Sequence, residues 1–338
     1  MNRRAVKRRG SIIILVLWVV LFLSVLVGAV SSITQRRLQV LERLQTRQQL
    51  RYIAEAGVKK AMHLVLTEYG GAQRVHGLAD RWNSDEALFK AQRVGDGFFS
   101  VVSRDAGSVR YGVTDEERKI DVNRVHSPIT LTRLFQAAAG LSASEARALA
   151  VSIADWTDED SNEHDQGAED VFYMSRKPSY RPANQPLRSL EELLWVKGMS
   201  KEIFERLTPY LTLDGSDAIN INTAAEPVLR AWGFGDSLVK KLALFRIGPD
   251  QALGTSDDGE FRTLQGIADV LAQYVPLDDA ERQSLIDFAE SGTLVVSSKR
   301  FLVTSVAQLD GQAMRLSVHW TFDHEGRLLR TQETFSTA

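Results

Sequence analysis

RRGSIIILVLWVVLFLSVLVGAV, residues 8–30, places basic side chains directly before an uninterrupted apolar segment. Residues 11–34 carry no charged side chain, and 24 residues at about 1.5 Å each are enough to cross a hydrocarbon core of about 30 Å. The five basic residues before Gly10 indicate that this end stays in the cytoplasm. An ordinary secretion signal has an apolar region of only about 7 to 15 residues. The sequence therefore predicts a membrane segment that the mature protein keeps.

The chain beyond Gln35 has the pattern of an amphipathic helix that continues the apolar segment. Between Gln35 and Thr67 there is no Pro and a single Gly, Gly57. We therefore predict one rod from Ser11 to Thr67, about 85 Å long. Apolar residues at three-and-four spacing define one face of this rod; they are Leu41, Leu44, Leu50, Ile53, Ala54, Val58, Ala61, Met62 and Val65.

The junction between the basic residues and the apolar segment resembles the leader of type IV pilins. In that class a prepilin peptidase cuts after a Gly on the cytoplasmic side, and the apolar helix is kept. The resemblance implies cleavage between Gly10 and Ser11. Mature position five, where most pilins carry Glu, is Leu15. Because an unpaired carboxylate is costly in a bilayer, a subunit without that Glu suits the end of a filament, where no further subunit lies above to receive the carboxylate.

The composition of the 338-residue chain narrows the function classes. A formal net charge of -2 gives no general attraction to nucleic acid. The chain has no cysteine, which excludes disulfides and thiolate metal sites. It contains no G-x-S-x-G, H-E-x-x-H or P-loop motif. We therefore predict that the protein is not an enzyme, and we assign no catalytic residue.

Beyond the rod, the pattern changes from strands to helices and back to strands. Residues 97–105 and 108–122 alternate apolar and polar side chains and predict a hairpin. Helical patterns follow from about Thr130 to Ser291, and alternating residues return after them. The order predicts an α+β, pilin-like fold with a long N-terminal α-helix, an antiparallel sheet and a large all-helical insertion. The predicted parts are a leader (1–10), a helix head (11–34), a first pilin-like part (35–128), the helical insertion (129–291) and the C-terminal strands (292–338).

An acidic segment interrupts the helical region. Residues 155–170 contain eight carboxylates and no Lys or Arg, and their repulsion favours disorder unless a cation binds. Read from Asp158, side chains with oxygen atoms take positions 1, 3, 5 and 12 of a loop like that of an EF-hand. We predict a calcium site there; its candidate ligands are Asp158, Asp160, Asn162 and Glu169, with the adjacent Asp170.

Two observations weaken this interpretation of the acidic segment. The Gly that an EF-hand needs at position 6 is Glu163, so the loop is not a regular EF-hand. A solvated acidic loop without an ion is the alternative. A second acidic segment, with Asp250, Asp257, Asp258 and Glu260, is a weaker cation candidate.

Residues 189–211 and 220–246 resemble helix-hairpin-helix units, which contact DNA phosphates through backbone amides. Thr223 and Glu226 have the spacing of a capping box for the first helix of the second unit. Phosphate binding needs clustered Lys and Arg, whereas these units contain few and follow the block of eight carboxylates. We therefore expect a packing role and no nucleic-acid partner, and keep a DNA-binding uptake protein as the alternative.

Several motifs occur in an order that resembles the K-type minor pseudopilin of type II secretion systems. They are RRG before IIILVLW, then TDEERKIDVN, IADWTDEDSNEHDQGAEDVFY, YRPANQPLRSLEELLWVKGM, LTPYLTL and ININTA. The resemblance implies a subunit at the tip of a short periplasmic pseudopilus, where it nucleates or caps the fibre for protein export. The competing pilus class is a minor pilin of type IV pili.

The same resemblance implies partners, cofactor and location. The partners would be the minor pseudopilins I, J and H, together with the prepilin peptidase that processes the leader. The cofactor would be bound calcium. The protein would sit in the inner membrane with a single pass and a periplasmic C-terminal domain. Family members also lack the Glu at mature position five, in agreement with Leu15.

Overall fold

A single α-helix of 59 residues, α1 (Ser11–Tyr69), forms the N-terminal part of the computed structural model. The structure describes residues 11–69, 75–105, 108–125, 127–252, 254–255, 257–322 and 328–337. At about 1.5 Å per residue, α1 is about 88 Å long. The rod predicted for Ser11 to Thr67 is therefore confirmed.

The second half of α1 lies on a sheet. Its buried face holds the predicted apolar residues from Leu50 to Val65, whereas Leu41 and Leu44 are exposed. Gly57 permits the close approach, because a Cβ at this position would lie 2.3 Å from Ser305 Oγ. The apolar stripe of the rod thus continues past the sheet toward the N-terminus, where none of the described residues covers it.

The described residues form an antiparallel sheet of seven strands. Five of them follow in the order β1 (Gln92–Val94), β2 (Gly97–Asp105), β9 (Arg300–Leu309), β10 (Gln312–Phe322) and β11 (Leu328–Thr337). The strand β3 (Ser108–Tyr111) also pairs with β2, and β4 (Thr114–Asp115) pairs with β9. Side chains of β9 alternate between buried and half-buried positions, so the sheet presents one apolar face to α1.

The predicted strand over residues 108–122 is broken into three short pieces. Only β3 pairs with β2 as the second strand of the hairpin; the turn residues 106 and 107 lie outside the described residues. The strand β4 pairs with β9, and β5 (Ile120–Asp121) pairs in parallel with β6 (Leu211–Thr212). One continuous strand was therefore the wrong prediction, because each piece has its own distant partner.

The segment between β4 and β9, residues 116–299, contains most of the helices beyond α1, and we call it the inserted segment. It has its own apolar core, with Leu134, Leu149, Leu193, Leu229 and Leu271 among the buried side chains. A parallel pair of short strands, β7 (Ile219–Asn220) and β8 (Leu294–Val295), joins the middle of the segment to its end. Its elements besides β5, β6, β7 and β8 are α3 (Pro128–Leu134), α4 (Ala143–Thr157), α5 (Asp170–Met174), α6 (Lys201–Leu207), α7 (Glu226–Trp232), α8 (Asp236–Arg246), α9 (Ile267–Ala272) and α10 (Asp279–Glu290).

A short helix and several turns with other helical geometry complete the chain. The helix α2 (Glu86–Phe89) precedes β1 and is capped by Asp85, which accepts a hydrogen bond from the Leu88 backbone. The helix α3 continues into a π-helical turn, Phe135–Ala139, which ends at Gly140 with φ 70°. The 3₁₀ turns are Glu116–Arg118, Leu190–Trp195 and Thr208–Tyr210.

A buried polar cluster joins the inserted segment to the sheet. Asp115 in β4 accepts hydrogen bonds from the hydroxyls of Ser298 and Thr223, each at 2.6 Å. Asn220 donates to Ser298 Oγ at 2.8 Å. The Ser298 backbone N–H donates to His76 Nδ1, also at 2.8 Å. Burial raises the pKa of Asp115 and lowers the pKa of His76 to about 3, so the cluster depends on an uncharged ring and on donors around the carboxyl.

Candidate functional site

The acidic loop begins where α4 ends and finishes at the start of α5. A capping box between Ser142 and Glu145 fixes the start of α4. The apolar face of α4 packs into the core of the inserted segment, so Asp155 in the last turn is fully buried. Asp158 is the C-cap residue. The loop is therefore anchored at its first carboxylates rather than free in solvent.

Asp155 is the centre of the loop. Its Oδ2 accepts hydrogen bonds from the backbone N–H of Ala168 at 2.8 Å and of His164 at 3.3 Å. Its Oδ1 lies 2.6 Å from His164 Nδ1. One ligand atom each of Asp155, Asp158 and His164 lie within 4.8 Å of one another. The loop thus folds back on the end of α4 and concentrates its charges there.

Glu169 closes the loop from the other side with a buried carboxylate. The side chain is only 3% exposed, and no residue that the structure describes donates a hydrogen bond to either of its oxygens. Burial and the charge of Asp158, followed by those of Asp155, Asp160 and Asp170, raise the pKa of Glu169 to about 7. A buried carboxylate without a donor is unfavourable unless a cation binds it.

Two further oxygens share this property. Asp158 Oδ1 and Asn184 Oδ1 are buried, and neither has a hydrogen-bond partner among the described residues. Asn184 belongs to the same region, because its Nδ2 donates to the backbone carbonyl of Asp160 at 2.8 Å. Burial and the neighbouring Asp160 and Asp155 raise the pKa of Asp158. The loop therefore holds four buried oxygen atoms that lack donors.

The five predicted ligands occupy different positions in this arrangement. Asp158 and Glu169 carry the buried oxygens described above. Asp160 is exposed, and its Oδ1 accepts the backbone N–H of Asn162 at 2.7 Å. Asn162 is exposed and Asp170 is half-buried at the first position of α5.

Two residues of the loop region were not among the predicted ligands. The EF-hand spacing begins at Asp158 and therefore does not include Asp155. Asn184 lies far along the chain, so spacing gave no signal for it. Helical periodicity did carry a signal for Asp155, since it follows Ala150 and Val151 on the buried face of α4.

Contacts around Gly167 hold the loop in this conformation. An added Cβ at Gly167 would lie 1.9 Å from Asp155 Oδ2, so the position excludes any side chain. Lys197 Nζ donates to the Gly167 carbonyl oxygen at 2.6 Å. The same ammonium lies 5.2 Å from the ring centre of Phe172. Lys197 thus places a positive charge at the base of the loop.

This donor set fits a hard cation. Carboxylate and amide oxygens without their own donors are the ligands that Ca²⁺ takes in proteins. No cysteine is present, and the one histidine of the group is held by Asp155. A transition metal that prefers sulfur or nitrogen would find fewer suitable ligands. The residues therefore fit calcium better than zinc or copper.

The second acidic segment is different in character. Asp250 and Asp257 are exposed, and Asp258 is half-buried. Their oxygens already accept hydrogen bonds from nearby groups, such as the Thr255 hydroxyl at 2.7 Å from Asp257 Oδ1. Among the residues that the structure describes, this cluster shows no buried oxygen without a donor. It offers less support for a cation than the loop after α4.

The first half of α1 is a second candidate site, because it exposes a continuous apolar surface. Large apolar side chains from Ile12 to Leu44 are exposed; Phe22, for example, is 68% exposed. By length and composition this part of the helix is suited to cross a membrane. Ser11 is the first described residue, and Gly10 with the rest of the predicted leader lies outside the described residues.

The helix-hairpin-helix pattern corresponds to helices that pack in the core. Phe234, in the turn between α7 and α8, stacks on Phe288 with ring centres 4.1 Å apart. Arg230 is bound to Glu226 and Asp236. The predicted capping box is wrong: the N-cap of α7 is Ala225, and the Thr223 hydroxyl donates to Asp115 instead. These observations favour the packing role over DNA binding.

Comparison with known proteins gives a consistent result. Residues 112–214 match the family described as "Type II secretion system (T2SS), protein K". The protein of that name from Pseudomonas aeruginosa is 32% identical over 157 residues, which cover 44% of this chain and 43% of the relative. The Aeromonas hydrophila protein is 29% identical over 229 residues, which cover 64% of this chain and 68% of the relative. The match thus spans less than half of the first relative and about two thirds of the second.

A solved structure resembles most of the chain. It is described as the GspK-GspI-GspJ complex from the type 2 secretion system of enterotoxigenic Escherichia coli. The likeness has a TM-score of 0.64 at 18% identity and covers 88% of this chain and 99% of that chain. This likeness confirms the predicted α+β, pilin-like fold. The family match and the relatives confirm the predicted resemblance to the K-type family. The boundaries predicted for the parts of the chain stay a prediction.

Proposed function

We propose that this chain is the K-type minor pseudopilin of a type II secretion system, located at the tip of the pseudopilus. The observation that carries the proposal is the continuous α1, which exposes an apolar head and holds a sheet and the inserted segment at its other end. Such a shape suits a subunit that joins a fibre through its helix. The family match over residues 112–214 supports the same role.

The exposed head of α1 contacts lipid first and partner helices later. In the inner membrane its side chains face lipid, and the single pass leaves the folded part in the periplasm. During assembly the head packs against the equivalent helices of partner pseudopilins. In lipid this exchange gains close packing but little hydrophobic energy. Extraction of the helix must therefore be driven by other components.

Minor pseudopilins I and J are the partners we propose first, with H as a further one. The solved structure that resembles this chain contains proteins named GspI and GspJ together with GspK. The exposed stripe with Leu41 and Leu44, between the membrane segment and the sheet, gives these partners an apolar surface. Leu15 at mature position five suits the tip, where no subunit above would pair with a Glu.

Processing by a prepilin peptidase between Gly10 and Ser11 would release the mature N-terminus. Support comes from the basic residues before Gly10 and from the uncharged apolar segment that follows Ser11. Replacement of Gly10 by a bulky residue should block processing. Intact-mass measurement of membrane-extracted protein tests this, and a mature mass in that variant would contradict the leader assignment.

Calcium is the cofactor that we propose for the acidic loop. Asp155, Asp158, Glu169 and the amide oxygen of Asn184 would hold it, with Asp160, Asn162 and Asp170 as the other candidates from the sequence. When bound, the ion would neutralise carboxylates that repel one another and fix the end of α4 to the start of α5. The role is structural, and we assign no catalytic residue; the relatives named above are described as secretion-system components.

Co-purification tests the proposed assembly. The full-length chain is expressed with the I and J pseudopilins of the same bacterium, extracted in detergent and purified through a tag on this chain. We expect a stable complex that contains both partners. Leu41→Asp, on the exposed stripe, should weaken the complex, whereas Lys201→Asp, exposed on the inserted segment, should not.

A single subunit without partners, together with DNA binding that weakens steeply as salt rises, would instead support the alternative of a DNA-binding uptake protein.

A further inference from the structure

A cavity of about 720 Å³ lies between the start of the folded part and the second half of the inserted segment. One wall is the chain at Gly77–Asp80, and the others come from the end of α8, the following loop and the end of α9. None of these residues belongs to the acidic loop after α4. The cavity is therefore a separate feature that the assembly through α1 does not use.

Part of the wall is apolar and aromatic. Phe245 lies 4.5 Å from the ring centre of Phe261 and 5.0 Å from that of Tyr274. Val270 and Val275 extend this wall, and Tyr274 is 67% exposed. A side chain with several methylene groups would find an apolar surface to lie on.

Glu260 supplies the charged part of the wall. No described residue donates a hydrogen bond to Glu260 or forms an ion pair with it. The carboxylate lies directly against the backbone of Gly77, because a Cβ there would be 2.6 Å from Glu260 Oε1. Asp80 is on the same wall, and its Oδ2 accepts from Trp82 Nε1 and from the Gly77 backbone. Burial and the charge of Asp80 raise the pKa of Glu260 to about 7.

The other carboxylates of the cavity and the buried Arg246 are already engaged. Asp257 and Asp258 accept hydrogen bonds from the Thr255 hydroxyl. Arg246 is buried and donates to the Ala224 carbonyl oxygen. Arg262 is exposed and lowers the pKa of Glu260 through its charge, yet no ion pair joins them. Glu260 is thus the carboxylate of this wall that an incoming cation can pair with.

The walls are held in place by backbone contacts. Asn222 Oδ1 accepts the Phe261 N–H at 2.9 Å, and its Nδ2 donates to the Phe261 carbonyl at 2.9 Å. The Gly259 N–H donates to the Phe245 carbonyl at 3.0 Å. A Cβ at Gly259 would lie 2.3 Å from that carbonyl oxygen. Glu260 is therefore fixed between two tethered residues, and the cavity does not depend on its partner to form.

We propose that this cavity receives a lysine side chain from a partner protein. The ammonium would pair with Glu260, and the four-carbon stem would lie on the wall formed by Phe245 and Tyr274. Long cationic side chains bind in this way, with an apolar stem and a charged end. Both the charged and the apolar part of this contact follow from the residues that line the cavity.

The position of the cavity indicates from which side the partner approaches. Gly77 follows the end of α1 by eight residues, so it lies within about 28 Å of that end, whereas the helix is about 88 Å long. The cavity is therefore far from the N-terminal end of the apolar head. On the proposed function, which this step needs, the lysine would come from a protein met in the periplasm rather than from a shaft subunit packed on the head.

Peptide binding to the full-length chain in detergent micelles tests the proposal. The probe is Ac-Gly-Lys-Gly-NH2, and its matched control contains norleucine, which keeps the stem and removes the charge. Saturation-transfer NMR should show saturable binding of the lysine peptide and none of the control. Glu260→Gln should weaken the binding of the lysine peptide about fivefold. Glu290→Gln, an exposed carboxylate outside the cavity, should leave binding unchanged.

A melting control, a second variant and a small diamine distinguish the possible outcomes. Because Glu260 makes no hydrogen bond, Glu260→Gln should melt no lower than the parent, which shows that the variant is folded. Tyr274→Ala should also weaken the peptide if the stem lies on the aromatic wall. Equal binding of the two peptides, unchanged binding by Glu260→Gln, or tighter binding of free putrescine than of the lysine peptide would each overturn the proposal. Partners I and J are absent from this measurement, so its failure leaves the assembly proposal untouched.

Discussion

The hydroxyl of Thr223 donates to Asp115 rather than to the first turn of α7. In sequence the two residues are far apart, and the capping pattern was the local signal. The buried carboxylate takes precedence because Asp115, in β4, is fully enclosed and needs donors. A rule based on spacing therefore fails where a side chain hydrogen-bonds to a residue far along the chain.

Asp115→Ala should be among the most destabilising single changes in the folded part. It would leave the hydroxyls of Ser298 and Thr223 and the Glu117 N–H without their acceptor. We expect a loss of about 3–5 kcal/mol. Urea unfolding followed by circular dichroism measures it. Asp217→Ala, at an exposed carboxylate, is the control and should change stability by less than about 0.5 kcal/mol; equal effects would contradict the role given to Asp115.

Gly167→Ala should disturb the acidic loop, because the new Cβ would meet Asp155 Oδ2 at 1.9 Å. We expect a loss of about 1–3 kcal/mol and weaker calcium binding. The matched change is Gly235→Ala, since a Cβ there meets nothing within 4 Å. Thermal melting with and without calcium compares the two. If both variants melt alike, the tight contact at Gly167 does not matter.

At the scale of elements, patterns that repeat locally were predicted well. The absence of Pro and the three-and-four spacing of apolar residues identified α1, and alternation identified β2 and β10. The pieces of the predicted strand over 108–122 were not separable from the sequence, since their pairing with β9 and β6 depends on residues far along the chain. Asn184 was not predicted as a ligand because it also lies far along the chain from the acidic loop. The local density of carboxylates, in contrast, did locate the loop.

Calcium should raise the melting temperature of the protein through this loop. A ligand that binds only the folded state at about 100 times its Kd adds about 2.7 kcal/mol, or several degrees. Magnesium should do less, because it needs tighter octahedral geometry and gives up water reluctantly. Differential scanning calorimetry in EDTA, calcium and magnesium measures the shifts. Glu169→Gln should abolish most of the calcium shift; a full shift in this variant would contradict the assignment.

The pH dependence of the calcium-free protein should change in the same variant. The pKa of Glu169 rises from 4.5 to about 7 on folding, so its contribution is present below pH 4.5 and is lost as the pH rises through 7. His76, with its pKa lowered to about 3, acts in the opposite direction between pH 6.5 and 3. The difference between parent and Glu169→Gln isolates Glu169. Between pH 7.5 and 5.5 the parent should gain more stability than the variant; an identical change in both would contradict the raised pKa.

At the scale of the whole molecule, we expect the apolar head and the folded part to be independent in stability. The buried face of α1 starts at Leu50, and the large apolar side chains before it are exposed. The boundary between the two halves of the rod was not visible in the apolar spacing, because Leu41 and Leu44 continue the same stripe. It is set by where the sheet ends.

Leu15→Glu should leave the stability of the folded part unchanged, because Leu15 is exposed and 35 positions before Leu50. Leu50→Glu should lower it by about 3 kcal/mol or more, since that side chain is buried under the sheet. Thermal melting of both variants in detergent tests this. A marked loss of stability in Leu15→Glu would show that the head contributes to the fold.

The pairing of β4 with β9 brings the two boundaries of the inserted segment to one place. Asp115 and Phe301 are opposite each other in the ladder, so the chain leaves the sheet and returns to it within about 5 Å. Insertions, deletions or replacements between these two points can therefore change the inserted segment. The helix α1 then keeps its length and its packing on the sheet. On the proposed function, the inserted segment is the part of the subunit that can vary while α1 and the sheet stay the same.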